Sequence, residues 1–231
     1  MKLFSLLFSI KKVPQVFWSS KDPFNLRPSL TTFVFLVFGL FLFGLGESLL
    51  IASGAGTSPW TVLAQGVSQH TNFSIGFSTF LISVVVLLVW IPLKQKPGMG
   101  TILNALILAA VIDISLPHLP NPSSYLYQIL QVTIGVVIVG LGSGFYLIAN
   151  LGAGPRDGLM IGLQKKTNLP IVSIRTILET SAVAVGWLMG GVVGLGTAIF
   201  AFGIGPAVAL GLYLVGKIAK PSEKEKFIFF Q

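Results

Sequence analysis

Long apolar runs alternate with short polar breaks along the whole chain. The runs lie at residues 31–52, 74–93, 101–117, 127–149, 171–189 and 197–216. A helix rises about 1.5 Å per residue, so about 20 such residues cross a ~30 Å hydrocarbon core. The pattern therefore predicts six membrane-crossing helices, the third of them short. After the first and fourth runs it gives way to Gly-x-x-Pro, as Gly56-Thr57-Ser58-Pro59 and Gly152-Ala153-Gly154-Pro155. Proline is favoured at the first helical position, with the preceding residue as cap. Short new helices are thus expected from Pro59, capped by Ser58, and from Pro155 to about Lys166. Lys165 and Lys166 close the second of these at its negative dipole end.

Shifting the sequence by 96 positions, without a gap, superposes the two halves. Gly39, Gly44, Gly46, Gly56, Pro59, Leu63, Gly66, Thr71 and Asn72 fall on Gly135, Gly140, Gly142, Gly152, Pro155, Leu159, Gly162, Thr167 and Asn168. Gly98, Gly100 and Thr101 fall on Gly194, Gly196 and Thr197 in the same register. Each half holds three spans, an odd number, so the second must sit upside down relative to the first. The expected fold is an all-α integral membrane protein of six transmembrane helices in two inverted three-helix repeats, each with a Gly-x-x-Pro helix break after its first span. Its divisions are an arm at 1–30, repeats at 31–117 and 127–216, and a basic tail at 217–231. Inverted repeats are a plan of secondary transporters, with the site at the repeat interface and helix breaks as its pointer. The plainer alternative is a duplication that simply made a stable six-helix bundle.

Composition agrees with this pattern: 53% of the residues are apolar and 10% charged, against about 25% charged in soluble proteins. The net charge of +8 could point to nucleic acid, but in a membrane chain the placement of Lys and Arg matters more than their sum. With the N-terminus in the cytoplasm, all 15 basic residues lie in the arm, the inner loops, the inner start of the fifth span (Arg175) or the tail, and none in an outer loop. That predicts a multi-pass protein with both termini cytoplasmic, the lipid bilayer as partner and no nucleic acid. The arm and tail are expected to lie at the interface, with Phe and Trp as anchors; Leu3 to Ile10 is too short for a signal peptide and lacks a small-residue cleavage site. Trp60, Trp90 and Trp187 are likewise placed at the interface. Cysteine is absent, which excludes disulfides, thiolate nucleophiles and Cys-ligated metal centres.

The candidate chemistry sits on the breaks and on charges inside the runs. Helix starts present unpaired backbone N–H groups, which favour anions; Ser58 and Pro59 open one, and Gly154, Pro155, Arg156 and Asp157 the other. The alternative is that Asp157 caps its own helix and Arg156 is an inner-face anchor. Arg175 and Glu179, spaced i, i+4 near the start of the fifth span, either line a pathway or neutralise each other. Glu47 interrupts the first span with no cation nearby in sequence, so it must face the bundle interior or water, and is a candidate proton carrier. Asp113, near a span end, suits a solvated or capping role. Glycines spaced four apart, Gly140 with Gly144, Gly186 with Gly190 and Gly190 with Gly194, suit close helix packing. His70 and His118 have no partner at metal-ligand spacing, and no Walker, HExxH or GxSxG motif is present. No metal, cofactor or catalytic residue is assigned, and an enzyme is not expected.

Several of these stretches resemble the YczE/YyaS/YitT group of bacterial integral membrane proteins. They are Leu151-Gly-Ala-Gly-Pro-Arg-Asp-Gly-Leu-Met160, Ile174-Arg175 with Glu179, Gly186-Trp187, Val193-Gly-Leu-Gly-Thr197 and Gly203-Ile-Gly-Pro206. In the first half, Ser58-Pro59-Trp60, Ile91-Pro92 with Pro97-Gly-Met-Gly-Thr-Ile-Leu-Asn104, and Asp113 resemble it too. The resemblance spans about residues 40 to 210 and implies a bacterial inner or plasma membrane location and a permease-like protein. One departure stands out: the group usually has an acid after Pro-Trp, where this chain has Thr61. Asp157 is then left to act alone, and charge-dependent chemistry is expected nearer the cytoplasmic face. The leading expectation is a permease for a small solute, to which an anionic group would be suited. The alternative is a non-transporting scaffold or regulatory and assembly protein acting through its termini.

Overall fold

The computed structural model describes residues 13–219, so the ends of the expected arm and tail, 1–12 and 220–231, lie outside the described residues. Among those described, every regular element is helical. The α-helices are α1 (Leu30–Ser53), α2 (Pro59–His70), α3 (Ile75–Trp90), α4 (Met99–Ser115), α5 (Tyr125–Ala149), α6 (Pro155–Thr167), α7 (Ile171–Leu188) and α8 (Leu195–Ile218), and a 3-10 turn, Leu116–His118, extends α4. Five helices are long and apolar enough to cross a membrane: α1, α4 with its turn, α5, α7 and α8. A sixth crossing is available if α2 and α3, bent by 113° at their junction, count as one.

The short span is the second and not the third. α3 has 16 residues, whereas α4 with its turn reaches 20. Ile91 still has helical angles, and the chain leaves the helix through the turn at 91–94, which holds Pro92 and ends at Lys94 in a left-handed conformation (φ 52°). The breaks at the ends of α1 and α5 have local causes as well. Gly54 (φ 68°) ends α1 and Asn150 (φ 51°) ends α5, both left-handed, and prolines then restart the chain as α2 and α6.

The antiparallel pair α1 and α5 forms the centre. Gly39 lies against the Gly142 carbonyl and Gly46 against that of Gly135, so the two backbones nearly touch. α8 packs on the same helix, with Gly140 and Gly144 against Ala207 and Gly211. α4 packs on the far side of α1, while α2 sits on α7 and α3 on α6. The starts of α4 and α8 dock onto the broken segments: Gly100 N donates to Leu151 O (2.7 Å) and Gly196 N to Ala55 O (2.8 Å). Helices α6, α7 and α8 begin at 155, 171 and 195, each 96 residues after α2, α3 and α4 at 59, 75 and 99.

Several expectations are corrected here. Trp18 is buried, its ring tilted against Phe35 with centroids 4.7 Å apart and its carbonyl bonded by Thr32 Oγ1, so it is core and not an interfacial anchor. The arm is further tied to the end of α5 by Ser20 N to Ala149 O (3.1 Å) and Asn150 Nδ2 to Ser20 O (2.8 Å). Trp60 and Trp90 are also interior, whereas Trp187 is 63% exposed. Gly190 is no packing residue; with φ 88° it turns the chain after α7. Asp113 does cap a helix, but not its own: its carboxylate accepts from Ser74 Oγ (2.6 Å) and Gly76 N (2.9 Å) at the start of α3.

Candidate functional site

A cavity of about 380 Å³ lies where the broken segments of the two halves meet. The starts of α2 (Pro59, Trp60) and α6 (Gly154, Pro155, Arg156, Asp157) both open onto it. Arg175 and Glu179 of α7 close one side, Phe200 and Ile204 of α8 another, and Asn104, Ser143 and Tyr146 add polar groups from α4 and α5. The volume suits a small molecule and falls at the low end of ligand sites.

The start of α6 and the segment leading into it are held by neighbours that bind their carbonyls. Trp90 Nε1 donates to Pro155 O (3.0 Å), Thr101 Oγ1 to Ala153 O (2.6 Å) and the Tyr146 hydroxyl to Gly152 O (3.3 Å). Its first-turn amides are left open, because the cap residue Gly154 has no side chain and no hydrogen bond ties Asp157 to them. Ser58 stands at the cap position of α2 but makes no capping bond; its hydroxyl donates to Glu47 instead.

The charged groups divide into a pair and a looser set. Arg175 Nε and Glu179 Oε1 are paired at 2.8 Å, though Arg175 stays 47% exposed. Arg156 has no carboxylate within the 4.0 Å ion-pair limit among the described residues; its guanidinium lies over the Trp60 ring, 5.4 Å from the centroid. It still feels the charges of Glu47, Asp157 and Glu179. Asp157 is exposed and borders the cavity. Glu47 is 1% exposed; its Oε2 accepts from Ser58 Oγ and Thr61 Oγ1, both at 2.8 Å, and its Oε1 has no partner.

Of the residues singled out in the sequence, Pro59, Gly154, Pro155, Arg156, Asp157, Arg175 and Glu179 all line the cavity. Ser58 and Glu47 are not in its wall and form the hydrogen-bonded cluster just described. At the first break Thr61 Oγ1 donates to the Glu47 carboxylate, so an acid stands beside that break as Asp157 stands at the second. Sequence reasoning missed Asn104, Tyr146 and Trp60. A usable signal for Asn104 and Tyr146 was a polar residue within an apolar run whose 96-shifted counterpart is apolar, Phe200 for Asn104 and Leu50 for Tyr146.

Residues 30–212 match the model of a family of unknown function, DUF6198. A Haemophilus influenzae relative described as "Uncharacterized protein" is 40% identical over 216 residues, which cover 93% of this chain and 98% of the relative. The Bacillus subtilis "Uncharacterized membrane protein YczE" is 34% identical over 165 residues, 71% of this chain and 77% of its own. The "Uncharacterized protein YyaS" of the same organism is 30% identical over 165 residues, covering 70% and 82%. No solved structure matches the chain.

Proposed function

The chain belongs to the DUF6198 family and is a membrane protein of the YczE/YyaS type, and on that premise we propose that it is a secondary-transporter-like permease whose small solute binds in the central cavity through an anionic group. One observation carries the reading. Two helix starts and an Arg156 guanidinium with no carboxylate in contact open onto one cavity. A guanidinium has five N–H donors and is strongly disfavoured when left unpaired inside a membrane. Backbone N–H groups at helix starts add a second set of donors for the same charge. A carboxylate, phosphate or sulfate group has the matching acceptors.

Movement of the solute is supported by the repeat. The helix starts at 59, 75 and 99 recur at 155, 171 and 195, and the bond from Gly100 to Leu151 exchanges with that from Gly196 to Ala55 under the same shift. An inverted repeat of this kind supplies two near-equivalent arrangements about one site, which is what alternating access needs. The distribution of Lys and Arg supports both termini in the cytoplasm of a bacterial inner or plasma membrane.

The test is counterflow in proteoliposomes loaded with small monocarboxylates, dicarboxylates, phosphate or sulfate. The wild type should exchange at least one of these, and Arg156→Ala should lose at least about tenfold in rate, the scale of one buried charge-assisted contact. Exchange of none, or an Arg156→Ala protein that exchanges normally, contradicts the reading.

A further inference from the structure

The two halves carry the same pair of functional groups with their positions exchanged. Under the 96-residue shift Glu47 falls on Ser143 and Thr61 on Asp157. In the first half the carboxylate comes from the central helix and the hydroxyl from the first turn of the broken one. In the second half the hydroxyl is on the central helix and the carboxylate in the first turn. Thr61 and Glu47 are in direct contact, Thr61 Oγ1 donating to Glu47 Oε2 at 2.8 Å. Glu47 thus delivers to the first break, from α1, the acid that Asp157 delivers to the second from within α6.

The Glu47 carboxylate is incompletely satisfied. Ser58 and Thr61 fill Oε2, while Oε1 has no partner in a side chain that is 1% exposed. Thr57 Oγ1, next to Ser58 in the chain, is a second buried oxygen without a partner, its residue also 1% exposed. Charges at and beside the cavity do not balance either: Asp157 and Glu179 in its wall, with Glu47 behind the first break, are three acids against the two bases Arg156 and Arg175. The other helices packed on α1 bring no balancing cation. α5 has no charged residue, and the Asp113 carboxylate of α4 is engaged at the start of α3. A buried carboxylate in excess is disfavoured unless a positive charge joins it.

We propose that Glu47, with Ser58 and Thr61, binds one small monovalent cation at its open Oε1, and that this is the ion whose binding is coupled to the solute. The cation, an alkali ion or a proton, neutralises the excess carboxylate while the solute's anionic group engages Arg156. This inference rests on the permease reading for its link to transport, but the ion site itself can be tested without a solute.

Purified full-length protein is unfolded thermally in sodium, lithium, potassium and choline chloride at one ionic strength, and separately across a pH series in choline. The alkali-ion arm expects a midpoint roughly 2–4 °C higher in sodium or lithium than in choline. The proton arm expects equal midpoints in all four salts and a pH response that differs between the wild type and Glu47→Gln. Glu47→Gln, which keeps the shape and the acceptor on Oε2, should lose whichever response the wild type has. Glu47→Ser should lose it too, and Glu47→Ser combined with Thr61→Asp, which gives the first half the arrangement of the second, should regain it. A wild type indifferent to salt whose pH profile Glu47→Gln shares overturns the proposal, whatever the variants' stability. So does a response that survives in Glu47→Gln. An ion response with no solute exchange would instead remove the permease reading and leave the ion site standing.

Discussion

Gly211 of α8 and Gly140 of α5 are so close that a β-carbon on Gly211 would collide with the Gly140 carbonyl. Backbone cannot yield as a flexible side chain can, so Gly211→Ala should destabilise the fold by about 1–3 kcal/mol or more. Gly203→Ala in the same helix, where the nearest atom would be Val136 Cγ1 at an ordinary 3.4 Å, should hold the thermal midpoint or raise it by about 2–4 °C. At the site, stability and function should separate. The Arg175–Glu179 pair is half exposed, so Glu179→Gln should cost under about 0.5 kcal/mol in denaturation. If the pair lines the pathway, the same change should still alter solute exchange. Trp90→Phe removes the N–H that holds the Pro155 carbonyl and should cost about 1 kcal/mol and loosen α6.

The helices were legible from apolar run length and from proline, because both act locally. Pro59 and Pro155 open α2 and α6 where the Gly-x-x-Pro pattern places them. Side-chain partners across helices were not legible. Ser58 has the right identity and position for a cap, yet its hydroxyl goes to Glu47, eleven residues earlier and on another helix. Trp60 and Trp90 have the chemistry of interfacial anchors, yet both face inward, one beneath Arg156 and the other against Pro155. Asp113 illustrates the same limit, since it caps α3 from α4. Asp113→Ala should therefore lower stability by about 0.5–2 kcal/mol, and amide exchange should rise first at Gly76 and Phe77 and not in α4. The close docking at the two breaks makes a paired prediction. Gly56 (φ 107°) and Gly152 (φ 109°) lie against the starts of α8 and α4, so Gly56→Ala and Gly152→Ala should destabilise by similar amounts. A large difference between them would argue against equivalent halves.

In the whole molecule, the central pair α1 and α5 and the two breaks frame a charged cavity within a largely apolar bundle. Among the described residues five helices, or six with the bent pair, are long and apolar enough to cross a membrane, and labelling gives their direction of insertion. The natural absence of cysteine makes that simple. Single cysteines at the exposed positions Asn72 and Ser124 should react with an impermeant thiol reagent added outside intact cells, and those at Lys96 and Thr167 should not. The reverse pattern would invert the topology while keeping the fold. Deleting the arm and tail bears on the alternative role through the termini: a scaffold should lose its activity, whereas a permease should keep exchange if the core still folds. The central claim, that the cavity around Arg156 binds a small anionic solute, is tested most directly by ligand-dependent thermal unfolding of the purified protein. The panel is small mono- and dicarboxylates, phosphate, sulfate and amino acids. A ligand at about 100 times its Kd stabilises the folded state by about 2.7 kcal/mol. At least one anionic solute should therefore raise the midpoint of the wild type by several degrees and have no effect on Arg156→Ala. A flat response across the panel, or a rise that Arg156→Ala shares, would contradict it.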